Sequence, residues 1–195
     1  MIAAISDELK DRLIELSDCQ PKTIYFGGGT PSLLEKQELK NLLQPIFENY
    51  PQEQFSEITL EANPEDITEE SLEDWKELGI NRLSIGIQSF KETDLTWMNR
   101  AHTLEESRNC IDLARKAGFS NISLDLMYGL PELTESEWEK HIDEIISYDV
   151  KHISAYCLTV EKGTLLEKKV HNKIMIHKHN NYFKWPLYQS RNHLS

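Results

Sequence analysis

The sequence of 195 residues lacks the features that mark secreted and membrane-spanning proteins. Its three cysteines, Cys19, Cys110 and Cys157, are odd in number and far apart, and none belongs to a Cys-x-x-Cys pair. We therefore expect a reducing, cytoplasmic location without a disulfide framework, and the chain by itself offers no thiolate metal site. No apolar run approaches the roughly 18 residues of a membrane span, and the acids soon after Met1 do not fit a signal peptide.

Positive charge is scarce as well. The chain has 21 Lys and Arg against 33 Asp and Glu, a net charge of −12, which argues against a protein that coats nucleic acid or an anionic membrane. The charge is uneven: residues 1–167 hold every acidic residue, whereas residues 168–195 hold six Lys and Arg and no acidic residue. We therefore expect residues 168–195 to be a divergent basic tail outside the native domain structure.

Short apolar, β-branched runs alternate with stretches of helical periodicity. The predicted strands are TIYF (23–26), EITLE (57–61), RLSIGIQ (82–88), NISLDLMY (121–128) and HISAYCLTV (152–160). This order predicts an α/β fold with a parallel sheet, outer helices and right-handed crossovers. A (β/α) barrel and an open doubly wound sheet both fit the pattern, although five strands are too few to close an eight-stranded barrel.

Helical spacing is found between these strands. The predicted helices cover residues 3–17, 35–50, 68–79, 103–118 and 133–149. Thr103 and Glu106 form a capping-box pattern, and Gly118 is placed to end the same helix. Pro45 is expected to kink or divide the second helix, and His141 is expected on a helix surface.

Polar or glycine-rich residues stand at the carboxyl end of each predicted strand. In chain order these are Gly27–Gly29 with Thr30, then Glu61, Gln88, Asp125 and Tyr156. Ligands of parallel α/β folds bind at the carboxyl ends of the strands. Packing alone does not readily explain five such ends in succession, so the sequence predicts one ligand site there.

Each element also has a structural interpretation. Gly27–Gly29 could form only a tight turn, since glycine admits positive φ, or could bring the backbone close to a ligand. Glu61 could form a salt bridge with Arg82 on the neighbouring strand or bind a ligand cation. Asp125, between two leucines, could make a structural hydrogen bond or bind a ligand hydroxyl.

Several motifs together resemble one family. They are TIYFGGGTPSLL, ITLEANPE, GINRLSIGIQSF, MNRAH, LDLMYGLP and HISAYCLTVEKGT. In this order, over residues 1–167, they are similar to the radical S-adenosylmethionine (SAM) family of oxygen-independent coproporphyrinogen III oxidases and their shorter relatives, the heme chaperones. The resemblance implies a partial, TIM-like (β/α) barrel in which a 4Fe-4S cluster binds SAM and cleaves it to a 5′-deoxyadenosyl radical.

The two branches of this family differ in their function. The resemblance implies that the oxidases decarboxylate propionate side chains to vinyl groups, whereas the chaperones bind heme and deliver it to acceptor proteins. Ser89 in GIQSF and His102 in NRAH favour the chaperone branch. The oxidase is the alternative, and a cluster-free α/β module that binds an anionic metabolite is a third. Contact with membranes is expected only through the acceptors.

The resemblance also implies a set of SAM contacts. These are Gly28, Gly29 and Thr30 for the amino-acid part, Glu61 for the ammonium or a hydroxyl, Gln88, Arg100 for the carboxylate, Asp125 for the ribose hydroxyls, and the backbone at Cys157. No catalytic side chain is expected, because the cofactor performs the hydrogen abstraction.

The chain departs from the family at both ends. The Cys-x3-Cys-x2-Cys cluster motif does not occur, so we expect the first strand and the cluster loop to be missing ahead of Met1. The resemblance fades near Lys169, although His179-Asn180 and Tyr182 are similar, at a different spacing, to a heme-contacting motif of the chaperones. An unclosed barrel exposes strand edges, so we expect the chain as it stands to be catalytically inert and unstable.

Overall fold

A five-stranded parallel sheet with helices packed against it forms the centre of the molecule, in a computed structural model that describes residues 1–16 and 18–171. The strands are β1 (Thr23–Phe26), β2 (Glu57–Ala62), β3 (Arg82–Gln88), β4 (Asn121–Tyr128) and β5 (His152–Cys157). The helices are α1 (Ile2–Leu13), α2 (Lys36–Asn49), α3 (Glu69–Glu77), α4 (Glu92–Trp97), α5 (Leu104–Lys116), α6 (Glu135–Ser147) and α7 (Leu165–His171). Four short 3₁₀ turns complete the described elements: Ile14–Leu16, Pro31–Leu33, Gln52–Gln54 and Pro64–Asp66.

The strand order decides between the two predicted architectures. The strands are hydrogen-bonded in the order β1-β2-β3-β4-β5, and every pair is parallel. A doubly wound sheet reverses its strand order at a switch point, whereas this sheet always grows in the same direction. With right-handed crossovers, that order places all connecting helices on one face, as in a (β/α) barrel. The predicted incomplete barrel is confirmed.

The helix-facing side of the sheet is apolar. Alternate residues of the three central strands are almost completely buried: Ile58 and Leu60 in β2, Leu83, Ile85 and Ile87 in β3, and Ile122, Leu124 and Leu126 in β4. They form one core with Leu43 of α2, Trp75 of α3 and Ile111 of α5. Because side chains alternate between faces, the residues between them must lie on the opposite, concave side.

The concave face is polar. It carries Thr23, Tyr25, Glu57, Thr59, Glu61, Arg82, Ser84, Asn121, Ser123, Asp125, His152, Ser154 and Tyr156. At its amino-terminal end, Glu57 accepts hydrogen bonds from the Thr59 hydroxyl at 3.0 Å and the Asn121 amide at 3.3 Å. The Arg82 guanidinium lies 3.7 Å from Glu57 and completes this group. These polar side chains therefore satisfy one another, and the open polar groups are left at the carboxyl ends.

The helix signals in the sequence are mostly confirmed. Thr103 forms the predicted capping box with Glu106, and Gly118 follows α5 with φ of +92°. Pro45 does not divide α2, because its missing N–H removes only one bond of a helix whose face is buried at Leu39, Leu42 and Leu43.

The prediction of a surface position for His141 is wrong. Its side chain is 4% exposed and contacts the rings of Phe90 and Trp138, with centroid distances of 6.1 and 6.3 Å. Burial lowers the pKa of this imidazole. His141 lies on the apolar face of its helix and packs in the core as an aromatic ring.

The predicted basic tail falls largely outside the described residues. α7 crosses the expected boundary after Glu167 and ends at His171. His179, Asn180 and Tyr182 lie beyond the described part of the chain, so the heme-motif interpretation and the tail boundary stay predictions. None of the helices among residues 1–16 and 18–171 is long and apolar enough to cross a membrane.

We expect the leucine-to-alanine substitution at Leu124 to lower the free energy of unfolding by about 3 kcal/mol, because it leaves a cavity between sheet and helices. Leu124 is 0% exposed, whereas Leu33 is 69% exposed and provides the matched control. Urea denaturation of both variants measures the difference. Equal losses from Leu124→Ala and Leu33→Ala would contradict this placement of the core.

Candidate functional site

A cleft of about 340 Å³ opens at the carboxyl ends of the strands. It is lined by Gly29, Thr30, Glu61, Ala62, Asn63, Ser84, Gly86, Gln88, Asp125 and Tyr156. Five of the eight predicted contact residues therefore line one cavity: Gly29, Thr30, Glu61, Gln88 and Asp125. The expected convergence of the strand ends is present in the structure.

The loop after β1 has an unusual backbone. Gly28, Gly29 and Thr30 have φ values of +74°, +64° and +64°, so three consecutive residues are left-handed. A Cβ built on Gly28 or Gly29 would meet no atom within 4 Å. These two glycines are thus required by backbone conformation and not by crowding, and they leave open space at the mouth of the cleft. Thr30 adopts the same conformation with a β-branched side chain, which is strained.

Glu61 is held by this loop. Its Oε2 accepts the backbone N–H of Gly28 at 3.0 Å, and its Oε1 accepts the Tyr25 hydroxyl at 2.8 Å. A Cβ at Gly27 would lie 2.6 Å from Tyr25 Cε1 and 2.9 Å from Glu61 Oε1, so glycine makes room for both side chains. The pKa of Tyr25 is raised by burial and by the hydrogen bond to Glu61.

The alternative of a salt bridge between Glu61 and Arg82 is wrong. Arg82 instead lies beside Glu57 and donates to the Thr59 hydroxyl at 3.3 Å. The reason is the strand register: Arg82 pairs with Thr59, whereas Glu61 pairs with Ser84 further along the strand. The carboxylate of Glu61 consequently faces the cleft with neutral hydrogen-bond donors as its partners.

Gln88 ends β3 with φ of +69° and is preceded by a register shift between Ile85 and Gln88. Its Oε1 accepts a short hydrogen bond from the Tyr156 hydroxyl. A Cβ at Gly86 would lie 2.8 Å from Gln88 Nε2, so a side chain at this position would push the amide from its present place. The pKa of Tyr156 is raised chiefly by burial and also by the charge of Asp125.

Asp125 presents a weakly paired carboxylate. The Ser84 hydroxyl approaches both of its oxygens, but only at 3.5 Å. Burial raises the pKa of Asp125, the nearby charge of Glu61 raises it further, and hydrogen bonding to Ser154 opposes the rise. Two carboxylates, Glu61 and Asp125, thus give the cleft negative character, which suits a ligand that carries positive charge.

Arg100 stands behind the cleft wall. Its Nη2 donates to Asn63 Oδ1 at 2.7 Å and to the Gly86 carbonyl at 3.4 Å. Its Nε is buried and has no hydrogen-bond partner among the described residues. Arg100 therefore supports two residues that line the cleft, Asn63 and Gly86, and keeps one donor unused.

The remaining predicted residues, Gly28 and Cys157, do not line the cleft. Gly28 contributes to the cleft indirectly, because its backbone N–H donates to the Glu61 carboxylate that lines the cleft. Cys157 follows Tyr156 at the end of β5, so its side chain faces away, and its thiol donates to the Leu158 carbonyl at 3.6 Å. A backbone contact at Cys157 stays a prediction.

Several residues of the site were not predicted from the sequence. Asn63, Ser84 and Gly86 line the cleft, and Tyr25 binds Glu61 from its rim. Ser84 and Gly86 could have been found from their alternation with buried residues in β3. Asn63 could not, because its position depends on the turn that follows β2.

Comparison with known families agrees with this geometry. The model of the radical SAM superfamily matches residues 4–145, which is most of the chain. The chain belongs to the radical SAM superfamily. Within this radical SAM chain, the matched region contains all of the cleft residues except Tyr156.

Two curated bacterial relatives share a name. The chain is 39% identical over 163 residues to the heme chaperone HemW of Bacillus subtilis, covering 83% of this chain and 43% of that protein. It is 39% identical over 144 residues to HemW of Escherichia coli, covering 74% of this chain and 38% of that protein. This radical SAM chain thus spans less than half the length of the curated relatives it matches.

A solved structure is also similar. The coproporphyrinogen III oxidase HemN from Escherichia coli, described as a radical SAM enzyme, superposes with a TM-score of 0.71 at 28% identity. The match covers 80% of this chain and 36% of HemN. The radical SAM fold is therefore shared with a coproporphyrinogen oxidase as well as with proteins named as chaperones.

The described residues offer no site for an iron–sulfur cluster. Cys19 is exposed, Cys110 is buried in α5, and Cys157 lies in β5, so they stand on separate elements. No group of three or more His, Cys, Asp or Glu side chains among residues 1–16 and 18–171 is arranged to hold a metal ion. The residues present therefore do not fit a 4Fe-4S cluster.

We expect the substitution Thr30→Gly to raise the free energy of unfolding by about 0.5 kcal/mol, because relief of the left-handed strain exceeds the added chain entropy of glycine. Thr103, with φ of −92°, is the control, since Thr103→Gly removes a helix cap and should lower stability. Urea denaturation compares the two. A loss of stability in Thr30→Gly would show that its side chain matters more than its backbone strain.

We expect Asp125→Asn to be more stable than the unchanged chain at neutral pH. Burial raises the folded-state pKa of Asp125 above its ordinary value of 3.8. The stability contributed by the neutral carboxyl is therefore complete below pH 3.8 and is lost as the pH rises through the folded-state pKa. An asparagine stays neutral and avoids this loss.

The measurement is urea denaturation of both chains from acidic to neutral pH. The stability difference should grow as the pH rises, whereas the exposed Asp143→Asn control should show little change. A difference that shrinks with rising pH would mean that the ionised Asp125 is stabilised in the fold.

Proposed function

We propose that this radical SAM chain binds SAM in the cleft at the strand ends and is the SAM-holding part of a heme chaperone. The observation that carries the proposal is the convergence of Gly29, Glu61, Gln88 and Asp125 on one cavity. These residues come from four different strand ends, so a shared ligand explains their placement better than local packing does.

The chemistry of the cleft fits the groups of SAM. SAM carries an ammonium and a sulfonium, which suit the carboxylates of Glu61 and Asp125, and ribose hydroxyls, which Asp125 can accept. Gln88 can donate or accept, and the open loop at Gly29 lets a ligand approach the backbone. Arg100 supports the cleft wall through Asn63 and Gly86, and its direct contact with the carboxylate of SAM stays a prediction.

The residues fit SAM but not the cluster that would act on it. When bound beside a reduced 4Fe-4S cluster, SAM supplies a carbon-centred radical. The described residues hold no such cluster, so the role of this chain's own side chains is to bind and orient SAM and to neutralise its positive charge. We accordingly expect binding without cleavage by this chain alone.

The heme chaperone assignment rests on the relatives. Proteins named heme chaperone HemW share 39% identity with this chain, and Ser89 and His102 are both present and buried beside the cleft. Heme is the expected cargo, heme-acceptor proteins are the expected partners, and the cytoplasm is the expected location.

Two other functions are less well supported. Oxidation of coproporphyrinogen is favoured by the similarity to HemN, which is lower in identity, at 28%. A cluster-free module for an anionic metabolite is disfavoured by charge, because Glu61 and Asp125 would repel a phosphate ester in the cleft.

We expect SAM to bind the 195-residue chain more tightly than S-adenosylhomocysteine, which lacks the sulfonium charge. Glu61→Gln should weaken SAM about tenfold, because a charged hydrogen-bond acceptor is lost. Isothermal titration calorimetry measures both ligands and, as a comparison, adenosine monophosphate. The control is Glu144→Gln, which breaks a distant ion pair between α5 and α6 and should leave the dissociation constant unchanged.

Three results of this titration would contradict the proposal. They are no binding of SAM, equal binding of Glu61→Gln, or tighter binding of adenosine monophosphate than of SAM. The last result would favour the anion-binding module. Absorbance titration with heme tests the cargo, and clear turnover of coproporphyrinogen by the chain would favour the oxidase instead.

A further inference from the structure

Gln88 is the centre of a strained turn. The backbone N–H of Ser89 donates to the carbonyl of Ile87 at 2.9 Å, which closes a three-residue loop around Gln88. The φ of Gln88 is +69°. A hydrogen bond between residues two apart, around a residue with positive φ, defines the rare form of γ-turn, which is strained for any side chain other than glycine.

Such a turn persists only where its surroundings fix it. The Gln88 side chain is 8% exposed, and its amide is the group that faces the cleft. If the turn relaxed to negative φ, the side chain would swing away from Tyr156 and from the cavity. The contacts of the two flanking residues therefore decide whether Gln88 can take part in binding.

His102 fixes the residue before the turn. Its side chain is fully buried, and its Nε2 lies 3.2 Å from the Ile87 carbonyl, the same oxygen that closes the turn. Since a carbonyl can only accept, Nε2 donates the hydrogen. The other ring nitrogen, Nδ1, lies 3.1 Å from Glu65 Oε2, and this contact sets the plane of the ring.

Ser89 fixes the residue after the turn. It is 0% exposed, and its hydroxyl donates to Asp94 Oδ2 at 2.8 Å. The Ser89 hydroxyl oxygen in turn accepts the backbone N–H of Lys91 at 3.1 Å. Asp94 is itself 4% exposed, so the hydroxyl is held in a closed arrangement at the start of α4.

We propose that His102 and Ser89 are positioning residues that hold Gln88 in its strained turn from either side and so present its amide to the ligand. The inference rests on the proposed binding of SAM in the cleft. It gives one structural role to two residues that do not line the cavity.

The placement of Glu65 supports this role. Glu65 lies two residues after Asn63, and His102 lies two residues after Arg100. The pairs Asn63–Arg100 and Glu65–His102 therefore join the same two loops, and each also bonds a carbonyl of β3, at Gly86 and Ile87. The whole end of β3 is thus braced by two parallel polar contacts.

The test measures SAM affinity of the 195-residue chain by calorimetry. His102→Ala and Ser89→Ala should each weaken SAM about tenfold, because a buried hydrogen bond that holds the turn is lost. His102→Gln should recover part of the affinity, since its amide can still donate to the Ile87 carbonyl. Equal affinity in all three variants would overturn the proposal.

A matched control separates positioning from general destabilisation. Ile111→Ala opens a cavity under α5 but removes no hydrogen bond of the turn, so it should lower the melting temperature without changing SAM affinity. If Ile111→Ala weakens SAM as much as His102→Ala does, the effect is global and the positioning role is wrong.

Hydrogen exchange provides a second measurement that needs no ligand. The amides of residues 86–90 should exchange faster in His102→Ala and Ser89→Ala than in Ile111→Ala. If the unchanged chain fails to bind SAM, the proposed function fails, and this exchange experiment alone decides whether the two residues hold the turn. Unchanged exchange over residues 86–90 would overturn the inference even if SAM binds.

Discussion

Alternation along parallel strands is the constraint on which the rest of this structure depends. Because β2, β3 and β4 are in register, one set of alternate residues forms a continuous apolar layer beneath the helices, and the other set forms continuous polar rows. A single-residue slip would exchange the two layers. The helices therefore fix the polar rows indirectly, since any other register would expose the core.

The carboxyl ends of the strands add backbone strain to this frame. Thr30 and Gln88 are both left-handed although neither is glycine, and both line the cleft. Glycines at positions 27 and 86 leave room for the carboxylate of Glu61 and the amide of Gln88. Strain and close approach coincide here, as is common at binding sites, whereas the amino-terminal end of the sheet has mutually satisfied side chains.

The sequence predicted much of this fold. Four of the five strands match within one residue, because β-branched runs bounded by glycine and proline are clear signals. β5 ends at Cys157 and not at residue 160, because the neighbouring strand β4 ends at Tyr128, the register partner of Cys157. The short helix α4 was not predicted, because six residues carry too little periodicity.

The sequence predicted which residues belong to the site better than it predicted their contacts. Residues at strand ends can be located from the pattern, so Glu61, Gln88 and Asp125 were found. The partner of Glu61 could not be found, because register places Arg82 one layer below it. The roles of His102, Asn63 and Glu65 depend on how two loops meet, which no periodicity in the sequence records.

Tyr156 completes the cleft from β5, the last strand in the order of the sheet. If β5 frayed, the Tyr156 hydroxyl would move away from Gln88. Ligand binding in the cleft and the pairing of β5 with the sheet must therefore be thermodynamically linked, each favouring the other.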